Sequence, residues 1–215
     1  MKLTKKIACA VLAAAMSLTS VAALAVTPDP KDNAQGFVLT ERYYEDGLFY
    51  EAKEILNKIA PNAAQQTYDA QKWNVWNAKV DAAIEDWEIS VIFDTVAAEY
   101  AADDVLDARA ALAQLAAWNV DYCDSIKAMA WEVKLAKITT PAQAIVCVEK
   151  ATGTYLDEPT LYYSVEKFGD GWDVYVKFDD SKRNLYAWHV NATTGAVTVD
   201  NADWPGNYPD SINIK

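Results

Sequence analysis

Apolar residues recur at helical spacing through the middle of the chain and alternate with polar residues nearer its C-terminal end. Between Leu39 and Lys137 the only proline is at position 61 and the only glycine at position 47, while alanine, leucine and charged residues dominate. Such residues favour helix, and the spacing of the apolar ones fits helical turns. Residues 39–138 are therefore predicted to form an all-α domain of helical hairpins.

One apolar stripe of this domain contains three tryptophans. Its members lie 3 or 4 residues apart, as one helix face requires: Trp73, Trp76, Val80, Ile84 and Trp87. Exposed rings on such a face could stack on the sugars of a cell wall. The regular spacing instead predicts the core face of a helical bundle, since each ring buries a large area. Trp118 and Trp131 receive the same interpretation.

Two blocks of the helical segment are alike. Residues 50–59 align with residues 106–115 at an offset of 56, and residues 76–80 align with residues 131–135 at an offset of 55. Two aligned blocks in the same order suggest a duplicated helical hairpin, although alanine-rich helices also produce such matches by chance. The run from Gly47 to Lys53 is similar to tetratricopeptide helices.

Local signals also mark helix limits. The β-branched residues of 89–96 predict either continued helix or a break near Asp94. Asp103 and Asp104 predict a helix start, because aspartate caps free backbone N–H groups. Later, Thr140 and Gln143 form a capping box with Pro141 at the first helical position, and Gly153 ends that helix.

Strands follow the second of these helices. In one of them, Trp172, Val174, Val176 and Phe178 alternate with Asp173, Tyr175 and Lys177, which predicts a buried face and a mostly solvated face. The fold class is therefore α+β, with the helical domain followed by one helix on an antiparallel sheet. Turn residues separate four predicted strands, at 160–167, 172–178, 185–191 and 196–199.

The last hairpin supports a family resemblance. In Val190-Asn191-Ala192-Thr193-Thr194-Gly195-Ala196-Val197, Asn191 can close an Asx turn and Gly195 can take positive φ. Together with Pro141-Ala142-Gln143-Ala144, this segment resembles the PepSY domain, a secreted module found in propeptides of bacterial metalloproteases; Asn191 stands where that family has Asp. The resemblance covers residues 139–200. It implies binding or inhibition of extracellular proteases and supplies no catalytic residues.

The N-terminus predicts export. Three lysines precede the apolar run Ile7–Met16, and Ala23-Leu24-Ala25 is a small-x-small cleavage site, so residues 1–25 are predicted to be a signal peptide removed before Val26. An uncleaved membrane anchor is the alternative, but the apolar run is short for a span. Residues 26–38 are expected to be a flexible leader and residues 201–215 a tail. A bacterial protein secreted or held in the cell envelope is expected.

The charge of the chain limits the kinds of partner that it can bind, and its cysteines leave one disulfide possible. The chain has 19 basic and 31 acidic residues, and removal of three signal-peptide lysines changes the net charge from −12 to −15. Such a surface repels nucleic acid and anionic lipid. No integral membrane segment is expected after cleavage. Cys123 and Cys147 remain in the mature chain, and either form a disulfide or pack as free thiols.

Candidate catalytic chemistry is sparse. His189 is the only histidine, and it shares a predicted strand face with Leu185 and Ala187. Its functional interpretation is a pH switch or a metal ligand. The simpler interpretation is a strand residue with an ordinary hydrogen bond. Three acid pairs could hydrolyse a glycoside if a cleft held them at the right distance: Glu85–Asp86, Asp103–Asp104 and Asp179–Asp180. Asp157–Glu158 and Asp179–Asp180 could bind calcium. With 31 acidic residues in the chain, such neighbouring acids are expected by chance. No cofactor or metal site is predicted.

These patterns favour an exported, acidic, non-enzymatic binding protein whose PepSY-like domain modulates a secreted peptidase. Two alternatives remain open. The first is a cell-envelope structural or adhesion protein that binds through its helical hairpins. The second is a secreted hydrolase that uses a pair of carboxylates.

Overall fold

The computed structural model describes residues 28–63, 67–153, 161–178 and 186–199. In these ranges six α-helices precede a four-stranded antiparallel sheet, which confirms the predicted α+β class with N-terminal helices. None of the described helices combines the length and apolar character needed to cross a bilayer. The helices are α1 (Asn33–Glu45), α2 (Phe49–Ala63), α3 (Thr67–Ala101), α4 (Val105–Ala113), α5 (Tyr122–Leu135) and α6 (Pro141–Thr152). The strands are β1 (Leu161–Phe168), β2 (Gly171–Phe178), β3 (Tyr186–Asn191) and β4 (Val197–Val199).

The described chain forms two compact units that divide between Phe93 and Asp94, within α3. This differs from the boundary expected at residues 138–139. Ile138 lies in the core of the C-terminal unit, where its N–H donates to the Ala192 carbonyl at 2.7 Å. Leu106 of α4 packs against the same core. Helix α4, which the sequence grouped with the helical domain, therefore belongs to the unit that contains the sheet.

The tryptophan stripe packs on the core of the first unit, as predicted. Trp73 and Trp76 contact a buried cluster that includes Val80 and Leu56. The Trp73 indole N–H donates to the Leu56 carbonyl at 2.8 Å, so its polar atom is satisfied where the ring is half-buried. Trp87 makes an edge contact with the ring of Tyr50.

Helix α1 begins inside the segment that was expected to be a flexible leader. Asp32 caps it by accepting from the Gln35 N–H at 2.8 Å, and Phe37 is buried. The glycine at position 36 suggested a loop, but it serves close packing. A Cβ on Gly36 would collide with the side chain of Ile59 in α2. Glycine here lets the two helices approach each other.

Helix α3 runs without a break through residues 89–96. Its β-branched Ile89, Ile92 and Val96 are buried, so packing outweighs their modest helix propensity. The helix start predicted after Asp103 is present. Asp104 caps α4 by accepting from the Asp107 N–H at 3.1 Å.

The turns that open the two similar sequence blocks have the same backbone geometry. Gly47 and Asp103, 56 residues apart, both have positive φ, at 74° and 62°. Four N–H to carbonyl bonds recur at this offset. They are Asp46 to Arg42, Gly47 to Tyr44, Leu48 to Tyr43 and Ala52 to Leu48 in the first block, and Ala102 to Ala98, Asp103 to Tyr100, Asp104 to Glu99 and Ala108 to Asp104 in the second.

Side-chain packing also corresponds between the two blocks. Trp76 makes an edge contact with Tyr44, and Trp131 makes an edge contact with Tyr100. A lysine three residues after each tryptophan lies over its ring. Turns, burial and ring contacts therefore correspond between the two blocks, and the duplication itself stays a prediction. Ten corresponding residues are at most 9% exposed: Ala52, Ile55, Leu56, Ile59 and Val80 in the first block, and Ala108, Ala111, Leu112, Leu115 and Leu135 in the second.

The sheet has the order β1-β2-β3-β4, with α6 against one face. The predicted capping box is present: the Thr140 hydroxyl accepts from the Gln143 N–H at 3.2 Å, and the Gln143 side-chain oxygen accepts from the Thr140 N–H at 3.3 Å. Gly153 ends α6 with φ 67°. Under the helix lie Trp172, Val174, Val176, Trp188 and Val190.

The β3–β4 turn has the predicted Asx geometry. The Asn191 side-chain oxygen accepts from the N–H groups of Thr193 and Thr194, at 3.0 and 2.9 Å. Gly195 has φ 76°, a value that favours glycine. The turn also contacts α4, because a Cβ on Gly195 would lie 2.6 Å from Cδ2 of Leu106.

Candidate functional site

A row of polar residues crosses the sheet on the face opposite α6. Strand register sets Glu166 beside Asp173, Asp173 beside His189, and His189 beside Thr198. Side chains alternate between faces along a strand, so these four lie on the face opposite the buried Trp172 and its neighbours. The row therefore brings the chain's single histidine next to a carboxylate.

His189 lies between two aspartates. Its Nδ1 is 2.7 Å from Oδ1 of Asp173 on β2, and its Nε2 is 3.4 Å from Oδ1 of Asp170 in the β1–β2 turn. We name these three residues the His189 clamp. The sequence pattern singles out the histidine but neither aspartate, because the pairing depends on strand register, which no local motif encodes.

Asp173 is 5% exposed, although the alternation of β2 predicts a mostly solvated position. A buried carboxylate is costly without a compensating cation or hydrogen-bond donors. The imidazole supplies that compensation directly, and the Tyr175 hydroxyl lies 3.4 Å from the second carboxylate oxygen. The pairing thus explains why a charged residue on the open face is shielded from solvent.

Gly171 makes room for the imidazole. A Cβ at this position would lie 2.9 Å from both Cε1 and Nε2 of His189, and it would collide with the Val190 carbonyl. Glycine is therefore required where the second strand begins. Around the clamp is a shallow depression lined by Phe168, Gly169, Asp170, Asp173, His189, Thr198 and Val199.

Electrostatics favour the protonated imidazole. The pKa of His189 is raised, chiefly by the hydrogen bond to Asp173 and then by the charges of Asp173 and Asp170, while partial burial opposes the shift. Two ring nitrogens that both face carboxylates can both donate only in the imidazolium form. The arrangement holds a cation between two anions.

A second charged cluster lies in the same unit. Lys150 of α6 places Nζ 2.7 Å from Asp104 and 2.5 Å from Asp107. Glu99 lies close to both aspartates, and burial and then their charges raise its pKa. Three carboxylates at this separation could hold a cation, but the lysine ammonium already neutralises two of them. Through these ion pairs Lys150 joins α6 to the start of α4.

The two described cysteines are free thiols. Cys123 is exposed on α5, whereas Cys147 lies on the buried face of α6. Burial raises the pKa of the Cys147 thiol to about 11. Of the two possibilities left open by the sequence, the structure has the unpaired one.

The predicted motif residues have mainly structural roles. Thr140, Pro141 and Gln143 begin α6, on the face opposite the clamp. Asn191 lies beside the clamp, because its Nδ2 donates to Oδ2 of Asp170 at 2.8 Å. Two of the acid pairs, 157–158 and 179–180, lie outside the described residues.

No family model matches the chain, and no match was found among curated proteins or solved structures. The resemblance to the PepSY domain therefore stays a prediction.

Proposed function

We propose that this protein is an exported, non-catalytic binding protein whose C-terminal unit binds an extracellular peptidase. The observation that carries the proposal is the unpaired outer edge of strand β1. Among the described strands, β1 is an eight-residue edge paired on one side only, with β2. The outer N–H and C=O groups of such an edge can pair with an extended segment of a partner.

Side chains on β1 suit this role. Tyr163 and Phe168 are both exposed, although large apolar side chains are usually buried. Aromatic side chains are enriched at protein interfaces because they bury a large area on binding. A long edge strand with exposed rings is a liability unless a partner covers it. We therefore infer that a polypeptide partner adds a strand beside β1.

Three further points support the proposal. The C-terminal unit has the helix-on-sheet architecture that the PepSY resemblance implies. The net charge of −15 expected after signal removal favours a partner with a basic surface. The predicted signal peptide would bring the protein to the compartment of secreted peptidases. N-terminal sequencing of exported protein should start at Val26, and a start at Met1 would contradict the export step.

The test is site-specific photo-crosslinking. The crosslinker p-benzoylphenylalanine replaces Ser164, which is exposed on β1, or Glu132, an exposed control on α5. Each purified protein is irradiated with the fractionated extracellular peptidases of the source organism, and peptidase activity is measured in parallel. We expect a discrete adduct with a peptidase from position 164 alone, together with altered activity. Adducts of equal yield from both positions, or no peptidase adduct from position 164, would refute the proposal.

One observation favours the cell-envelope alternative. Helix α5 has four exposed apolar residues at spacings of 4, 3 and 4, which place them on one face: Tyr122, Ile126, Met129 and Val133. Such a contiguous apolar stripe is typical of an interaction surface. If a crosslinker at position 133 captures cell-wall or membrane material while position 164 captures none, binding through the helical hairpins replaces the first proposal.

A further inference from the structure

The His189 clamp joins parts of the sheet domain that are far apart in sequence. Asp173 belongs to β2, His189 to β3, and Asp170 to the turn between β1 and β2. The turn is bound at two more points, to the last residue of β3 and to the residue after it. The Ala192 N–H donates to the Asp170 carbonyl at 3.1 Å, and the Asn191 side chain donates to the Asp170 carboxylate. Whatever changes the charge of the imidazole therefore acts on the attachment of this turn.

The two carboxylates respond differently when the imidazole loses a proton. Neutral histidine has one N–H, and the short 2.7 Å contact keeps it at Nδ1, directed at the buried Asp173. Nε2 then presents a lone pair to the Asp170 carboxylate 3.4 Å away. An attractive contact becomes a repulsive one. Asp170 is exposed and can turn into water, whereas Asp173 cannot do so without opening the sheet.

We propose that the His189 clamp is a pH-sensitive device that holds the β1–β2 turn against β3 when His189 is protonated and releases Asp170 when it is not. This inference does not depend on the proposed function. The released group borders the depression lined by Phe168 and Thr198, so the open face of the sheet would change shape with pH.

The groups that face the imidazole favour its protonated form. From β2 it meets Asp173, from the β1–β2 turn Asp170, and from β4 the uncharged Thr198. Glu166 of β1 lies one strand further along the row and adds negative charge. The ionisable groups named here around His189 are all acids, and their negative charges favour the imidazolium. A histidine whose pKa rises on folding adds stability below about pH 6.5, its unfolded value, and this stability is lost as the pH rises through the folded pKa.

The test uses the fact that the chain has one histidine. In mature protein without a histidine tag, the imidazole NMR signals report the His189 pKa directly. Amide exchange at Ala192 reports the attachment of the turn. The variants are Asp170→Asn, which removes the released carboxylate, and Asp86→Asn, which changes the net charge equally at an exposed site of the first unit.

We expect His189 of the parent and of Asp86→Asn to titrate above pH 6.5, with Ala192 exchange accelerating across that titration beyond the ordinary effect of base. In Asp170→Asn the pKa should fall toward 6.5, and the extra acceleration should vanish. A parent pKa at or below 6.5 would overturn the inference. So would identical Ala192 profiles in the two variants. A comparison of folded variants at each pH avoids reliance on His189 substitutions, which could unfold the sheet.

Discussion

Gly195 combines two constraints that a single methyl group tests. Its φ of 76° lies in the left-handed region, where a residue with a Cβ costs about 1–2 kcal/mol. The same Cβ would lie 2.6 Å from Cδ2 of Leu106 and 3.5 Å from Cδ1 of Ile138. Overpacking of this kind costs about 1–3 kcal/mol, less where a side-chain tip can move. Gly195→Ala should therefore lower the free energy of unfolding of the C-terminal unit by about 2–4 kcal/mol.

The two contributions can be separated with variants that the chain itself offers. Gly153 has φ 67°, but a Cβ there would meet no atom within 4 Å, so Gly153→Ala measures the backbone cost alone. Leu106→Ala removes the side chain that the new methyl group would strike. In the double variant Gly195→Ala/Leu106→Ala, the added cost of the methyl group should fall to the value for Gly153→Ala. Such an interaction energy appears as a departure from additivity.

Equilibrium urea unfolding followed by far-ultraviolet circular dichroism gives the free energy of unfolding of the parent and of the four variants, provided that the denaturant slope stays constant. A cost of Gly195→Ala no larger than that of Gly153→Ala would contradict the predicted collision with Leu106. Additive costs in the double variant would contradict it as well, because the methyl group would then not meet Leu106. A cost below about 0.5 kcal/mol, the size of an ordinary surface substitution, would show that the turn does not need a glycine at position 195.

Three further predictions concern other parts of the chain. Trp76→Ala should destabilise the first unit by about 3 kcal/mol, through lost core packing and the lost Tyr44 contact, and a variant that melts like the parent would refute the core interpretation. In the folded mature protein, a disulfide reagent at pH 8 should label Cys123 quickly and the buried Cys147 only after denaturation; two fast thiols would contradict this. Thr140→Ala should cost about 1 kcal/mol in urea unfolding, with most of it restored by Thr140→Ser, whereas equal losses would exclude a capping role.

Local signals predicted the elements that depend on neighbouring residues. The capping box at Thr140, the C-terminal Gly153 and the hairpin at Asn191 are all encoded within a few positions, and the structure contains each of them. The four strands also occur close to their predicted limits, because turn residues separate them.

Contacts between distant residues were the part that the sequence could not supply. Gly36 resembled a loop residue because its packing partner, Ile59, lies on another helix. Asp173 resembled a solvated strand residue because its partner His189 lies on the next strand. The expected boundary at residues 138–139 differs from the observed division because Leu106 packs against the sheet core. In each case the deciding contact is long-range.

The Asn191 amide has a consequence for how this chain can change over time. Its oxygen accepts from three groups of its own turn, and its nitrogen donates to Asp170 of the neighbouring turn. An aspartate at 191 would keep the first role and place two carboxylates against each other in the second. The effect of a substitution at position 191 thus depends on the residue at position 170. An aspartate at 191 should therefore be tolerated better when position 170 carries no carboxylate.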